Sequence, residues 1–262
     1  MSDQTLALFA DEEVLVDAPL TEGIKYAGSK LKLLPHILSM VKKTGAQSVF
    51  DGFAGTTRVS QALAKSGYQV FSNDISAWSQ TFGTCYLLGE KPQSSYTKII
   101  SHLNSLKGVD GWFTEHYGGE ATNESSIGED GLKKPWQKKN TRRLDAIREE
   151  IDKMGLSEVE KAVAITSLIH ALDSVDSTLG HFVAYLNAWS PRSFNDLVLK
   201  VPNVIENKKI NAVFRGNYCD TARSVKADLT YLDPPYGSNN EKMPPSRVRY
   251  SSYYHVWTTI CL

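Results

Sequence analysis

Few cysteines, no long apolar run and no excess of either charge mark this sequence of 262 residues, and each shortage excludes a class of protein. Cys85, Cys219 and Cys261 lie far apart, without the close spacing of a zinc site or the density of a disulfide-stapled secreted domain. They read as free thiols in a reducing compartment, and no structural metal is expected. No apolar stretch approaches the ~20 residues that span a bilayer, and the first twenty residues carry acids without a basic n-region. Neither a membrane span nor a secretory signal is read, so the expected location is the cytoplasm. With 29 basic and 29 acidic side chains the net charge is zero. That balance argues neither for nor against a polyanionic partner, because binding follows the distribution of charge over the surface. Core-forming residues are not scarce: 41% are hydrophobic, enough for one large domain or one domain carrying an insertion.

After a flexible N-terminal tail over residues 1–20, Val49-Phe50 enters Asp51-Gly52-Phe53-Ala54-Gly55-Thr56-Thr57, and a helix-like stretch follows from Val59 to Lys65. Gly67 closes that helix, Tyr68–Ser72 reads as a second strand ended by Asn73-Asp74, and a second helix runs through Leu88. Strand, turn, helix, strand and helix imply a mainly parallel α/β sheet with ligands outside the carboxyl ends of its strands. Asp51 and Asp74 both fall on that edge. Strand character returns at Ala212–Phe214 and Leu229–Leu232. Residues 93–204 therefore read as an insertion, and residues 21–92 and 205–262 as the core. Within the insertion, 107–126 reads as a mobile loop. Leu144, Ile147, Ile151 and Met154 precede Gly155 at helical spacing, and Ser157-Glu158-Val159-Glu160 has the form of a capping box, together giving a helical hairpin. His170, on an apolar helix, reads as a satisfied core histidine.

Asp233-Pro234-Pro235-Tyr236 at a strand end carries the most specific chemistry. An exocyclic amine attached to an aromatic ring is a poor nucleophile, because its lone pair is delocalised. Acceptors held against both N–H hydrogens favour the geometry in which that lone pair faces a methyl donor. Asp233 supplies one acceptor. Two prolines fix the backbone without adding N–H donors, so the Pro234 carbonyl can supply the other. Tyr236 offers a ring on which an extruded base can stack.

Lys25-Tyr26-Ala27-Gly28-Ser29-Lys30, then Asp51-Gly52-Phe53-Ala54-Gly55, then Asp233-Pro234-Pro235-Tyr236 resemble, in order, motifs X, I and IV of the D12-class (α-group) DNA adenine-N6 methyltransferases. That resemblance implies a Rossmann-like sheet that binds S-adenosyl-L-methionine, a target-recognition insertion at 93–204, and duplex DNA as substrate, with base flipping. It assigns Asp233, Pro234, Pro235 and Tyr236 to catalysis. Asp51, Phe53 and Gly55 would line the methionine and ribose side, with Asp74 on the ribose hydroxyls. Tyr26 and Lys30 would contact the cofactor, the lysine suited to its carboxylate. Asn217 and Tyr218 would meet its adenine, Asn217 standing where relatives often have an acid. Thr57 stands where many relatives have another glycine. The family also implies a cognate restriction endonuclease in the same system, without direct contact. Family members continue with further strands beyond the catalytic motif, so the C-terminal strands of the sheet are expected to be missing from these residues. A non-catalytic DNA- or cofactor-binding remnant is the rival that follows from that expectation.

Lys133, Lys134, Lys138, Lys139, Arg142 and Arg143 form a basic run without an acid, which is read as contacting DNA phosphates against the alternative of a solvated face. Ser177–Phe182 and Trp189–Asn195 mix aromatic, basic and amide groups able to reach bases, while Tyr185, Leu186 and Trp189 equally fit helix packing. Cytosine-C5 chemistry is excluded, since no cysteine follows a proline. A nicotinamide enzyme lacks its three-glycine fingerprint. Methylation of cytosine N4 is the nearest chemical alternative.

Overall fold

The computed structural model describes residues 15–89, 91–120, 125–206, 209–235 and 250–262, with only the backbone of Tyr250. In chain order the elements are α1 (Leu34–Thr44), β1 (Ser48–Asp51), α2 (Arg58–Lys65), β2 (Gln69–Asp74), α3 (Ala77–Leu87), α4 (Thr97–Ser105), α5 (Trp112–Tyr117), β3 (Gly118–Gly119), β4 (Trp136–Gln137), α6 (Lys138–Lys153), α7 (Glu158–Ser174), β5 (Ala212–Arg215), α8 (Tyr218–Ser224), β6 (Leu229–Tyr231), α9 (Tyr250–Tyr253) and α10 (His255–Cys261). β5, β2, β1 and β6 form, in that order, a parallel sheet. This is the mixed α/β fold that the alternation of strands and helices predicts. The register pairs Asp51 with Ser72 and Tyr231, and Asp74 with Arg215. The carboxyl ends of all four strands thus meet at one edge, where Asp51, Asp74, Asn217 and Asp233 stand together.

β1 and β2 are short and carry buried Val49, Phe50 and Val70, as strands covered on both faces must. α1, bounded by Pro35 in its first turn and Gly45 after its last, is an element the sequence reading passed over. Residues 15–20 of the expected tail lie against the core: the Val16 N–H donates to Ser39 Oγ at 2.9 Å, and Lys65 Nζ donates to the Leu20 carbonyl at 2.7 Å.

The helical hairpin is present as α6 and α7. Ser157 and Glu160 form the reciprocal capping box that the sequence predicts, with Glu160 N–H to Ser157 Oγ at 3.3 Å and Ser157 N–H to Glu160 Oε2 at 3.0 Å. α7 is buried on nearly every side through Val163, Ile165, Leu168, Ile169 and Leu172, and it packs against α3 of the core and against α6. His170 is largely buried, within 3.2 Å of the Tyr86 hydroxyl, and burial lowers its pKa, in keeping with a core histidine.

Two expectations need correction. Residues 107–126 are not simply a loop, since α5 lies within them with Phe113 and Thr114 buried. Its cap comes from far away in sequence: Asp145 accepts from the N–H groups of Phe113 (2.9 Å) and Thr114 (2.8 Å) and from the Thr114 hydroxyl (2.6 Å). Nor are Tyr185, Leu186 and Trp189 packed on a helix. Residues 175–190 are non-helical, with Thr178 bridged antiparallel to Tyr185 and Ser125 to Ala188.

Candidate active site

A cavity of about 280 Å³ opens at the carboxyl edge of the sheet. Its floor and walls include Asp51, Phe53 and Gly55 after β1, Asp74 after β2, Asn217 and Tyr218 after β5, and Asp233, Pro234 and Pro235 after β6, with Tyr26 and Lys30 closing one side. Every described residue singled out for cofactor binding or catalysis meets there. Tyr236 lies outside the described residues.

Asp51 is 1% exposed. The Ser60 hydroxyl donates to its Oδ2 at 2.6 Å, while Oδ1, sealed from solvent, has no partner at hydrogen-bonding geometry among the described residues. Burial first, and the neighbouring Asp74 charge after it, push this carboxyl up to about 7 against the relief from the Ser60 hydroxyl and the nearby Phe53 N–H. A cationic or N–H donor entering the cavity would meet an acceptor whose desolvation cost is already met.

The turn after β1 is held from the next strand. Asp74 Oδ2 accepts from the Gly55 N–H at 2.9 Å and Oδ1 from the Ser76 N–H at 2.8 Å, so this one carboxylate shapes two loops. Gly55 takes φ +50, a conformation glycine adopts at little cost, beside the Tyr26 ring. Thr57 takes φ +60 without that freedom. It is fully buried, and its Oγ1 accepts from Gln61 Nε2 at 3.1 Å. A β-branched residue is thus strained at a position where glycine would not be.

Phe53 and Tyr218 form an aromatic wall, their ring centroids 5.2 Å apart, with Phe50 behind Tyr218 at 5.9 Å. A Cβ on Gly52 would stand 2.7 Å from the Tyr218 ring, so only glycine lets that ring close over the turn. Asn217 caps α8, accepting from the Cys219 N–H at 2.8 Å. Lys30 Nζ lies 2.5 Å from Asp233 Oδ2 and 3.0 Å from the Gly28 carbonyl. Lys30, expected on the cofactor carboxylate, is here paired with the carboxylate of the strand-end motif.

Asn73 was missed in the sequence. It is 1% exposed and donates to the carbonyls of Gly52 (3.1 Å) and Gly216 (3.3 Å) while accepting from Thr221 Oγ1 at 2.9 Å. It ties the loops after β1 and β5 together across β2. Its only sequence signal was its place beside Asp74 at a strand end.

The basic run does not form one free surface. Lys134 is 5% exposed and paired with Asp130 at 2.7 Å. Lys138 pairs with Glu120 at 2.9 Å, Lys139 with Asp196 at 2.7 Å, and Arg142 with Asp110 through two nitrogens. Arg143 donates to the carbonyls of Leu106 and Asn104 at the end of α4, and Lys133 is exposed.

Among known proteins, residues 26–255 match the family model for D12 class N6 adenine-specific DNA methyltransferases. The chain is 32% identical over 253 residues to Modification methylase StsI of Streptococcus sanguinis, covering 89% of this chain and 35% of that protein. It is 29% identical over 257 residues to Modification methylase LlaI of Lactococcus lactis subsp. lactis, covering 90% and 38%, and 22% identical over 249 residues to Type II methyltransferase M.NlaIII of Neisseria lactamica, covering 91% and 69%. It therefore spans little more than a third of the first two relatives. With the three motifs gathered on one cavity and a family match running through all of them, the chain belongs to the D12 class N6 adenine-specific DNA methyltransferase family.

Proposed function

We propose that this chain transfers a methyl group from S-adenosyl-L-methionine to N6 of adenine at a specific site in duplex DNA. The observation that carries the reading is the single cavity on which Asp233, Pro234 and Pro235 stand opposite Asp51, Asp74, Phe53 and Tyr218. The sheet supports it as well: taken in chain order its strands run third, second, first, fourth, one half of a Rossmann-like arrangement with the ligand edge beside β1.

The residues present fit the cofactor. The unpartnered Asp51 Oδ1 suits the cofactor's ammonium, Asp74 the ribose hydroxyls, and the Phe53 and Tyr218 rings its adenine. When bound, S-adenosyl-L-methionine supplies a methyl group already activated by its sulfonium. The chain's own task is to make N6 nucleophilic. Asp233 Oδ1 and the Pro234 carbonyl accept the two N6 hydrogens, and the ion pair from Lys30 to Oδ2 orients the carboxylate. As nitrogen attacks, its hydrogens become more positive and both acceptors bind more tightly, so their effect falls on the rate. Asp233 also takes the proton released from N6 after the methyl is transferred. Extrusion of the base from the duplex, and stacking on Tyr236, belong to the same reading.

The insertion at 93–204 would serve as the target-recognition region. The names of the first two relatives, modification methylases, support a role beside a cognate restriction endonuclease, with no direct contact implied. Cytoplasmic DNA is the expected substrate. No helix among the described residues is long and apolar enough to cross a membrane.

Single-turnover transfer from labelled cofactor to adenine-containing duplexes tests the reading. Asp233→Ala should keep cofactor affinity by calorimetry and lose ~10²–10³ in rate. Unchanged transfer would refute the role of Asp233, and label on cytosine N4 would overturn the substrate.

A further inference from the structure

The basic run holds no acid of its own but is answered by acids from other segments; a second acid-free stretch of the insertion follows α7. Between Asp176 and Asp196 there is no acidic residue, and the segment carries Arg192 and His181 among aromatic and apolar side chains. Asp176 itself is 1% exposed and turned inward. It accepts from Lys25 Nζ at 2.8 Å, from Arg192 Nε at 2.9 Å and Nη2 at 2.6 Å, and from Thr178 Oγ1 at 2.5 Å. A polyanion approaching this segment meets no exposed carboxylate of its own. In the basic run, by contrast, four of the six cations are paired with Asp110, Glu120, Asp130 and Asp196.

Within the segment, Thr178 and Tyr185 are bridged and enclose a fixed tip. Gly180 turns it at φ +92, with its N–H donating to Thr178 Oγ1 at 3.0 Å. Phe182 anchors it from below, its ring 4.7 Å from Trp257 and 5.4 Å from Trp136, and its N–H donating to the Tyr253 carbonyl at 2.8 Å. The His181 ring stacks on Tyr253 at 4.4 Å. Leu179 and Val183 flank this anchor and face outward, 64% and 57% exposed. The tip also adjoins the active site: Gly180 packs on Lys25, and Tyr254, next to the stacked Tyr253, accepts from the Ala27 N–H at 2.8 Å and stacks at 4.8 Å on Tyr26 of the cavity wall.

A rigid tip that holds exposed apolar side chains, lacks acids and stands beside the cavity has the properties of a wedge for a base stack, where apolar side chains part neighbouring bases. We propose that the loop from Thr178 to Tyr185 meets duplex DNA and that Leu179 enters the stack at the target adenine, filling the space the extruded base leaves. This rests on the adenine-methylation reading.

The sequence that the unaltered chain methylates is first mapped on treated genomic DNA, then synthesised as two duplexes, with the target adenine facing thymine or facing an abasic site. Leu179→Ala should slow single-turnover transfer to the paired target by about tenfold, the order expected for losing a leucine's burial. Transfer to the abasic-facing target, which needs little help to leave the stack, should stay near the unaltered rate, and cofactor affinity should not change. Equal loss on both duplexes would mean that Leu179 only supports the fold, and no loss on either would mean that it never enters DNA; each overturns the wedge. So does a change in self-association by sedimentation with transfer intact, which would assign the patch to a second copy. No methylated adenine on genomic DNA treated with the unaltered chain would overturn the adenine reading and the wedge with it.

Discussion

Replacing Asp51 with asparagine tests the electrostatics of the cavity floor. Its carboxyl ionises near 7 in the fold, chiefly because burial penalises the charge, against an ordinary 3.8 in the unfolded chain. Below pH 3.8 both states hold the proton, and the group does not oppose folding. As pH rises towards 7 the unfolded chain releases its proton while the fold retains it, so stability is lost across that window and the loss is complete above about 7. At about 1.36 kcal/mol per pH unit, the interval amounts to about 4 kcal/mol. Asparagine has no proton to exchange. Its amide would place a donor where Oδ1 has no partner, at a cost of about 1–3 kcal/mol that is the same at every pH. Urea unfolding of both proteins from about pH 4 to about pH 8 should show the stability of the unaltered chain, relative to Asp51→Asn, falling by about 4 kcal/mol. Carboxylates of the opposite sense, such as Glu160, held down to about 2 by Lys91 and Ser157, cancel in that difference. Parallel curves would refute the reasoning. The same linkage reaches the ligand: a cation against Oδ1 favours the ionised form, so cofactor binding near pH 6 should release a proton, read by calorimetry in buffers of different ionisation enthalpy, and Asp51→Asn should abolish the release.

Asp74→Ala removes the acceptor of the Gly55 and Ser76 N–H groups, and should lower stability by about 1.5–3 kcal/mol and weaken cofactor binding by at least a similar amount, with calorimetry and urea unfolding as the two measurements. Thr57→Gly should relieve about 1–2 kcal/mol of left-handed strain, offset in part by the lost bond from Gln61, and a raised thermal midpoint with unchanged cofactor affinity is expected. A lowered midpoint would show that the hydroxyl outweighs the strain. Asp145→Ala uncaps α5 and should cost about 2 kcal/mol in urea unfolding while leaving cofactor affinity as it was.

Local signals were legible where the physics is local. β1, its turn, α2 and β2 follow one another within a few residues, each set by hydrophobic pattern or turn chemistry, and the structure returns them to within a residue or two. The capping box of α7 was legible for the same reason: both partners lie in one turn. α5 was not, because the carboxylate that caps it comes from Asp145, more than thirty residues on, and a stretch rich in glycine and aromatics reads as a loop without it. α1 carries a local signal of its own, Pro35 in its first turn and Gly45 after its last.

The site divides along the same line. Chain order alone put Asp51, Asp74 and Asp233 on one edge, because parallel strands present their carboxyl ends together. Pairing across the chain could not be foreseen: Lys30 meets Asp233 and Lys25 meets Asp176 only once the segment before α1 has been laid over the sheet and the insertion. The surroundings of the basic run were not legible from adjacency in sequence. Six cations follow one another without an intervening acid, yet four of them are paired with Asp110, Glu120, Asp130 and Asp196, on segments either side of α6. For a chain of zero net charge, a surface for DNA has to be made by sorting acids away from one face. The stretch from Ser177 to Asn195 contains no acid, and of the two acids that flank it Asp176 is buried between Lys25 and Arg192 while Asp196 pairs with Lys139.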